Sequence, residues 1–312
     1  DYAVRTYIAG INGMVGSAIA NEAMLKGYEV IGKSSKELDL TDRIAVFDEL
    51  RKSKPDSLII AAAKVGGIRA NSSMPVDFLS INLQIQTNLL DAAHASNISK
   101  VLFLGSSCVY PRLASQPITE SSLLTGALEP TNEPYAIAKI AGLKLVEAYR
   151  RQFGHHWISA MPTSLYGPRD NFNPVTAHVL PMLMHRFHQA KVSGAQSVEI
   201  WGDGTPLREF LYVEDFARAC LILMDNFDSP VALNIGSGSE ISIENLATLI
   251  AKTVGYVGKI NFDLSRPNGT PRKLLDCSLV KDLGWKPLIG LEAGIATTYK
   301  WFLESQKEET KL

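Results

Sequence analysis

Residues 5–16 read RTYIAGINGMVG, a short apolar run followed by three glycines set three residues apart, Gly10, Gly13 and Gly16. Residues 6–9 read as a strand buried on both faces, and residues 15–26 as a helix that takes up where the glycines end. Glycines at such a strand-to-helix turn let the backbone fold back tightly and approach a pyrophosphate, whose charge faces the helix N-terminus. The spacing is G-x-x-G-x-x-G rather than G-x-G-x-x-G, and an ordinary strand–helix turn is the competing reading of the triplet by itself. Its place at the head of a longer strand–helix series favours a dinucleotide.

That series runs outward from the glycines. Residues 29–31, 58–61, 101–105 and 157–161 read as further strands, with helices predicted over 44–52, 76–95 and 135–153. Short β-rich runs alternating with helices predict a Rossmann-type α/β domain, a doubly wound parallel sheet. Beyond about residue 168 the texture changes. Helix patterns at 177–191, 213–225, 243–254 and 291–304 surround probable strands at 198–201 and 232–235 and a polar loop at 265–273. The expected organisation is a dinucleotide-binding domain over residues 1–168, to which about 209–240 return, and a smaller α/β substrate domain built mainly from 169–312.

Composition narrows the partners. With 312 residues, 46% of them hydrophobic, the chain can bury a sizeable core. Lysine plus arginine (31) nearly balances aspartate plus glutamate (32), so no broad basic face offers itself to nucleic acid and any phosphate site must be built locally. The three cysteines, Cys108, Cys220 and Cys277, are far apart and odd in number, which suits a reducing compartment; a cytoplasmic setting is expected. The longest purely apolar stretch, residues 58–63, is too short to cross a bilayer, and residues 1–10 lack a basic-then-apolar signal pattern.

The end of the second strand bears on the cofactor. It reads GKSSKEL, with Lys33, Ser34, Ser35 and Lys36 ahead of Glu37. Small polar and basic residues there suit the 2′-phosphate of NADP, whereas an acidic side chain, Glu37 or Asp39, would suit the ribose hydroxyls of NAD. Further on, Tyr135 and Lys139 fall in Y-A-I-A-K at a helix start, four apart and therefore on one face. A phenol of pKa ~10 needs a neighbouring ammonium to exchange a proton near neutrality. So assisted, it can protonate a carbonyl oxygen as hydride reaches the carbon, and Ser106, just past a strand end, can bond the same oxygen.

Here the chain resembles the extended short-chain dehydrogenase/reductase family over nearly its whole length. The likeness rests on GMVGSAI, AAAKVGGI, FLGSSCVYP, EPTNEPYAIAKIAG, PTSLYGPRDNF, WGDGTPLREFLYVED and RPNGTPRKLLD. Within the family it is similar to epimerase-reductases that act on a GDP-linked 4-keto-6-deoxymannose. The resemblance implies NADPH as cofactor, a GDP-sugar substrate, and a homodimer joined through helices of the first domain. It places the catalytic set at Ser106, Tyr135 and Lys139, and cofactor contacts at Gly10, Asn12, Gly13, Met14, Val15, Gly16, Lys33–Lys36, Leu104, Gly105 and Ser106, then Tyr135, Lys139, Pro162, Thr163, Ser164, Leu165 and His178. Asn12 stands where bacterial members often carry a basic residue, as does Ser35, which leaves Lys33, Ser34 and Lys36 to meet the 2′-phosphate.

Inverting two carbons beside a ketone calls for two more titratable groups, and the resemblance puts them at Cys108 and His178, read as base and acid. The sequence leaves the direction of transfer open, and a cysteine after a buried strand is otherwise a common small core residue. Substrate contacts are implied at Ser106, Cys108 and Tyr135, and at Arg186, Trp201, Arg208 and Asn268, the last in place of a family aspartate. Arginine suits a diphosphate because its planar fork donates paired hydrogen bonds; Arg272 and Lys273 extend the polar loop that can close over the nucleotide. His178 opens a helix that also holds His185 and His188, but no cysteine or acidic cluster accompanies them, so no metal is expected. The competing functions are a related enzyme, either one taking a 3-deoxy sugar or a 4-epimerase that recycles its NAD, and a non-catalytic NADPH-binding protein on the same fold.

Overall fold

The computed structural model describes residues 3–309. Strand β1 (Arg5–Ala9), helix α1 (Met14–Leu25), β2 (Glu29–Ile31), α2 (Arg43–Ser53) and β3 (Ser57–Ile60) open the chain, followed by α3 (Ile68–Ser73), α4 (Asn82–Ala95), β4 (Lys100–Leu104), α5 (Glu133–Phe153) and β5 (Ile158–Pro162). With β9 (Leu233–Ile235) they form a six-stranded sheet in the order β2-β1-β3-β4-β5-β9, parallel throughout. β3 and β5 are buried at every position and β1 and β4 at all but the first, the mark of parallel strands covered on both faces. The covers are two helix layers, α1 beside α7 (Val213–Asn226), and α2, α4 and α5 in a row.

The chain leaves β1 for β2 on one side and returns to β3 on the other. This is the reversal outside which open α/β sheets bind ligands, and the carboxyl ends of β1, β3, β4 and β5 all meet there. The helix predicted over 76–95 is in fact two pieces: a π-helical turn, Asp77–Ile81, runs straight into α4. A π turn widens the helix by one residue and is common beside functional sites. Here it carries Phe78 edge-on to Tyr135, ring centres 6.3 Å apart.

The remaining elements are β6 (Ser164–Tyr166), α6 (Val179–Ser193), β7 (Ser197–Trp201), β8 (Leu207–Tyr212), β10 (Glu240–Ser242), α8 (Ile243–Val254), β11 (Lys259–Asp263), β12 (Arg272–Lys273), α9 (Ser278–Asp282) and α10 (Leu291–Glu309). β8 is the spine of a small sheet, pairing with β10, β12 and β6, while β7 and β11 form a separate parallel pair. A second hydrophobic cluster lies between these strands and α6, α8 and α10. Residues of β8 and its immediate continuation alternate between the two cores, as the period of two in a strand demands: Phe210 and Tyr212 enter the second cluster, Leu211 and Val213 the first. Glu209, 1% exposed, accepts the N–H groups of Gly238 and Leu275 and so ties β8 to two distant segments. No helix among the described residues is long and apolar enough to cross a membrane.

The three glycines of the opening motif do different work. Gly10 sits at φ +83°, a conformation that side chains rarely adopt. At Gly16 a Cβ would fall 1.9 Å from the Gly10 carbonyl oxygen, so its bareness is what lets α1 pack against the end of β1. Gly16→Ala must push α1 outward, and we expect a cost of about 1–3 kcal/mol. A fall in thermal midpoint measured by calorimetry checks this.

Candidate active site

A cavity of about 1760 Å³ opens over the carboxyl ends of the sheet and reaches across to β7 and β8. Pockets for a single drug-sized ligand measure roughly 300–1,000 Å³; this space is large enough for two ligands side by side. Gly13 lines it at the N-terminus of α1, where its backbone has ordinary extended angles and a Cβ would meet only one atom, at 3.4 Å. Neither conformation nor packing requires glycine there, and its lack of a side chain leaves the helix N-terminus open to the cavity. No side chain caps α1 and no acidic residue stands in its first turn, so its N–H groups and positive dipole end are free for an anion. The cradle therefore fits the pyrophosphate of a dinucleotide.

Of the residues expected at the cofactor, Gly10, Gly13, Met14, Val15, Lys33, Ser35, Leu104, Gly105, Ser106, Tyr135, Lys139, Pro162, Thr163, Ser164, Leu165 and His178 line the cavity. Asn12, Gly16, Ser34 and Lys36 are not part of its wall. Gly16 is used in packing, and Ser34 is tied to Glu37, whose carboxylate accepts the Ser34 N–H at 2.9 Å. Lys33 is at the wall but already pairs with Glu49 at 3.0 Å. Leu38, Asp39, Leu40 and Thr41 join the wall beside it.

The reactive groups are set by two elements. β4 ends at Leu104, and Ser106 beyond it caps a single 3₁₀ turn, Ser107–Val109, its hydroxyl accepting the Cys108 N–H at 3.5 Å. That turn brings Cys108 back beside Ser106. α5 supplies Tyr135 and Lys139, one turn apart, with Lys139 Nζ donating to the Leu104 carbonyl at 2.8 Å and lying 5.8 Å from the Tyr135 ring. The helix is pressed onto β4 because Gly142 leaves room: a Cβ there would fall 2.3 Å from the Phe103 ring. From the far wall His178 caps α6, open to the cavity. It is brought in by Gly67, whose N–H donates to the Thr176 carbonyl at 2.8 Å and whose Cβ would overlap Ala177.

Burial dominates the electrostatics. It lowers Lys139 to about 8, against the pull of Cys108, and raises Tyr135, with the Ser106 hydroxyl opposing. Tyr135 is thus held as a proton donor and Lys139 is mostly charged at neutrality. Burial raises the Cys108 thiol, opposed by Lys273, Ser106 and Lys139, and lowers His178, helped by Lys273. Two hydroxyls, a thiol and an imidazole around one space can hold a ketone oxygen and move protons at its neighbours.

Arg186, Trp201, Arg208 and Asn268 line the other half of the cavity. Burial lowers the pKa of both arginines, and neither has a carboxylate within ion-pair distance among the described residues, which prepares them for a ligand's anion. The Arg266 guanidinium lies 4.6 Å over the half-exposed Trp201 ring, a partner that sequence reading did not supply. Asn268 braces the wall, its Oδ1 accepting the Asp203 N–H at 2.9 Å. Arg272 turns away into a two-pronged pair with Glu240, whereas Lys273 faces inward.

Three further residues carry buried oxygens without a partner at this wall, Asn71 Oδ1, Asn132 Oδ1 and Asp170 Oδ2, and burial raises the Asp170 carboxyl to about 7. Such atoms require a donor. Asn132 and Asp170 stand in EPTNEPY and PRDNF, so the signal was present in the motifs but nothing local gave it a role. His185 and His188 face α10, His188 Nδ1 lying 3.0 Å from the Tyr299 hydroxyl. Among the described residues no three metal-ligating side chains meet.

Residues 6–236 match the NAD dependent epimerase/dehydratase family. The chain belongs to that family. A relative at 52% identity over 306 residues, covering 98% of this chain and 95% of its own, is GDP-L-fucose synthase 1 of Arabidopsis thaliana. GDP-L-fucose synthase of Escherichia coli strain K12 is 51% identical over 312 residues, 97% of each chain. Among solved structures, a GDP-L-fucose synthetase from Naegleria fowleri bound to NADP superposes with TM-score 0.90 at 29% identity, covering 98% of this chain and 96% of that one. An epimerase/dehydratase cradle with a bare Gly13 makes a sharp prediction. Gly13→Asp should keep the thermal midpoint while weakening NADPH binding more than tenfold, as fluorescence titration will read, since ~1.4 kcal/mol of repulsion suffices.

Proposed function

We propose that this chain epimerises GDP-4-keto-6-deoxy-D-mannose at C3 and C5 and reduces it at C4 with NADPH, making GDP-L-fucose. The observation that carries the reading is the convergence of Ser106, Tyr135, Cys108 and His178 on one cavity that also holds the glycine cradle and two arginines without carboxylate partners. The relatives named GDP-L-fucose synthase, and the NADP of the Naegleria structure, support it.

Bound in the cradle, the cofactor supplies hydride to C4. The protein's own residues do the rest. Arg186 and Arg208 take the diphosphate, and Trp201 with Arg266 offers a flat face to the base. Ser106 and Tyr135 donate to the C4 ketone oxygen. When a proton leaves C3 or C5, the electron pair passes to that oxygen, and the two donors stabilise the charge. Cys108 as thiolate takes the proton from one face, and His178 as imidazolium returns one to the other. At the reduction Tyr135 gives its proton to the oxygen, and the Lys139 ammonium stabilises the phenolate left behind.

The decisive test is incubation with NADPH and the keto-sugar nucleotide, with the product identified by NMR. One NADPH consumed per GDP-L-fucose supports the reading; turnover on a catalytic amount of cofactor would make the enzyme a simple epimerase. Tyr135→Phe should lower reduction by about 10²–10⁴-fold with nucleotide binding kept. Cys108→Ser and His178→Gln should each suppress deuterium uptake from heavy water at C3 and C5. Lys139 is charged below its pKa and neutral above it, so kcat/KM for reduction should be level below about pH 8 and fall as pH rises through it.

A further inference from the structure

Lys273 lies 165 positions along the chain from Cys108 (273 minus 108), yet the fold sets the two in the same cavity wall. The backbone around it is fixed on both sides. Gln116 donates to the Arg272 carbonyl at 3.2 Å and accepts the Leu274 N–H at 2.8 Å, and β12 pairs with β8 with Lys273 opposite Arg208. Successive strand side chains point to opposite faces. The Arg272 side chain is spent on Glu240 and stays out of the main cavity, whereas Lys273 borders both that cavity and a small adjoining space of about 20 Å³ shared with Ser107, Cys108, Glu129, Asn132 and Arg272.

No hydrogen bond or ion pair among the described residues engages the Lys273 ammonium. Its charged or titratable neighbours are Cys108, Arg208, Glu129 and His178. Those facing Cys108 are Lys273 from β12 and Lys139 and Tyr135 from α5, with Arg112, Glu129 and Arg272 in the walls of the small space and Ser106 bonding from the end of β4. Among the groups that favour the Cys108 thiolate against burial, Lys273 counts most, ahead of Ser106 and Lys139. Lys139 is committed to the Leu104 carbonyl, and Glu129 to Arg112 at 2.9 Å. A thiol works as a base only as thiolate, and a nearby cation is the usual means of making one.

We propose that Lys273 is a positioning residue for proton exchange, its ammonium being the countercharge that allows Cys108 to act as a thiolate. The same charge, facing His178, makes the imidazolium a stronger acid. The role rests on the reading given under Proposed function, but the alkylation arm of its test does not.

The test follows alkylation of Cys108 by iodoacetamide against pH, resolved to its own peptide by mass spectrometry, in the NADP⁺-bound protein. Lys273→Met is expected to move the midpoint up by about one pH unit or more, a tenfold loss of thiolate at neutrality. Deuterium uptake at C3 and C5, measured with NADP⁺ in place of NADPH, should fall by a like factor while the substrate KM changes less than twofold. Lys273→Arg, which keeps the charge, should restore most of both. An unmoved midpoint overturns the proposal, as does a raised KM with the midpoint unchanged, which would make Lys273 a diphosphate ligand. Should Lys273→Met lose NADPH binding, Lys273→Gln carries the same measurement, and failure of Lys273→Arg to restore the midpoint counts against the role. If the wild-type protein exchanges no deuterium at all, the proposed activity fails while the alkylation midpoint still decides the pairing.

Discussion

Helix α5 lies against β4 so closely that no side chain fits at Gly142, and the arrangement of the reactive groups follows from that approach. The helix backbone is held there by Gln86, which donates to the Ala138 carbonyl at 2.6 Å, and by Lys139, which reaches across to the last carbonyl of the strand. A buried ammonium costs several kcal/mol unless it finds oxygen. Lys139 finds it at the Leu104 carbonyl, one helical turn on from Tyr135 and two residues before Ser106. The bond that satisfies the lysine thus also pins the helix turn that carries Tyr135.

The cavity is cationic although the chain as a whole has a net charge of −1. Lys139, Arg186, Arg208 and Lys273 all lose hydration to it, and burial lowers the pKa of each. Carboxylates neutralise other basic residues at or near it, as Glu49 does for Lys33 at the wall and Glu240 for Arg272. What distinguishes the site is thus that, among the described residues, Arg186, Arg208 and Lys273 have no carboxylate within ion-pair distance. A dinucleotide and a nucleotide sugar bring the missing phosphates.

The legible parts were those whose cause is local. A turn needs its glycines adjacent in sequence, and Tyr135 and Lys139 share a helix face because they stand four apart; both patterns can be read without a fold. The long apolar strands β3, β4 and β5 announce themselves similarly. β6, β10 and β12, of two or three residues each, are too short to show a period, and the small sheet around β8 could not be seen beforehand. The pairing of Lys33 with Glu49, the stacking of Arg266 on Trp201, the unsatisfied oxygens of Asn71, Asn132 and Asp170, and the nearness of Lys273 to Cys108 depend on segments that meet only after folding. The division of 76–95 into a π turn and α4 was equally hidden, since both halves keep a helical composition.

β8 passes between the two hydrophobic clusters and gives alternate side chains to each. Two bodies joined by a flexible linker can swing apart; two that share the faces of one strand cannot, because any large rotation would drag apolar side chains out of one interior or the other. The mouth of the cavity is accordingly framed by a rigid rib. The loop residues of the cavity wall, Pro267 to Thr270 among them, are set against that rib and are not part of it.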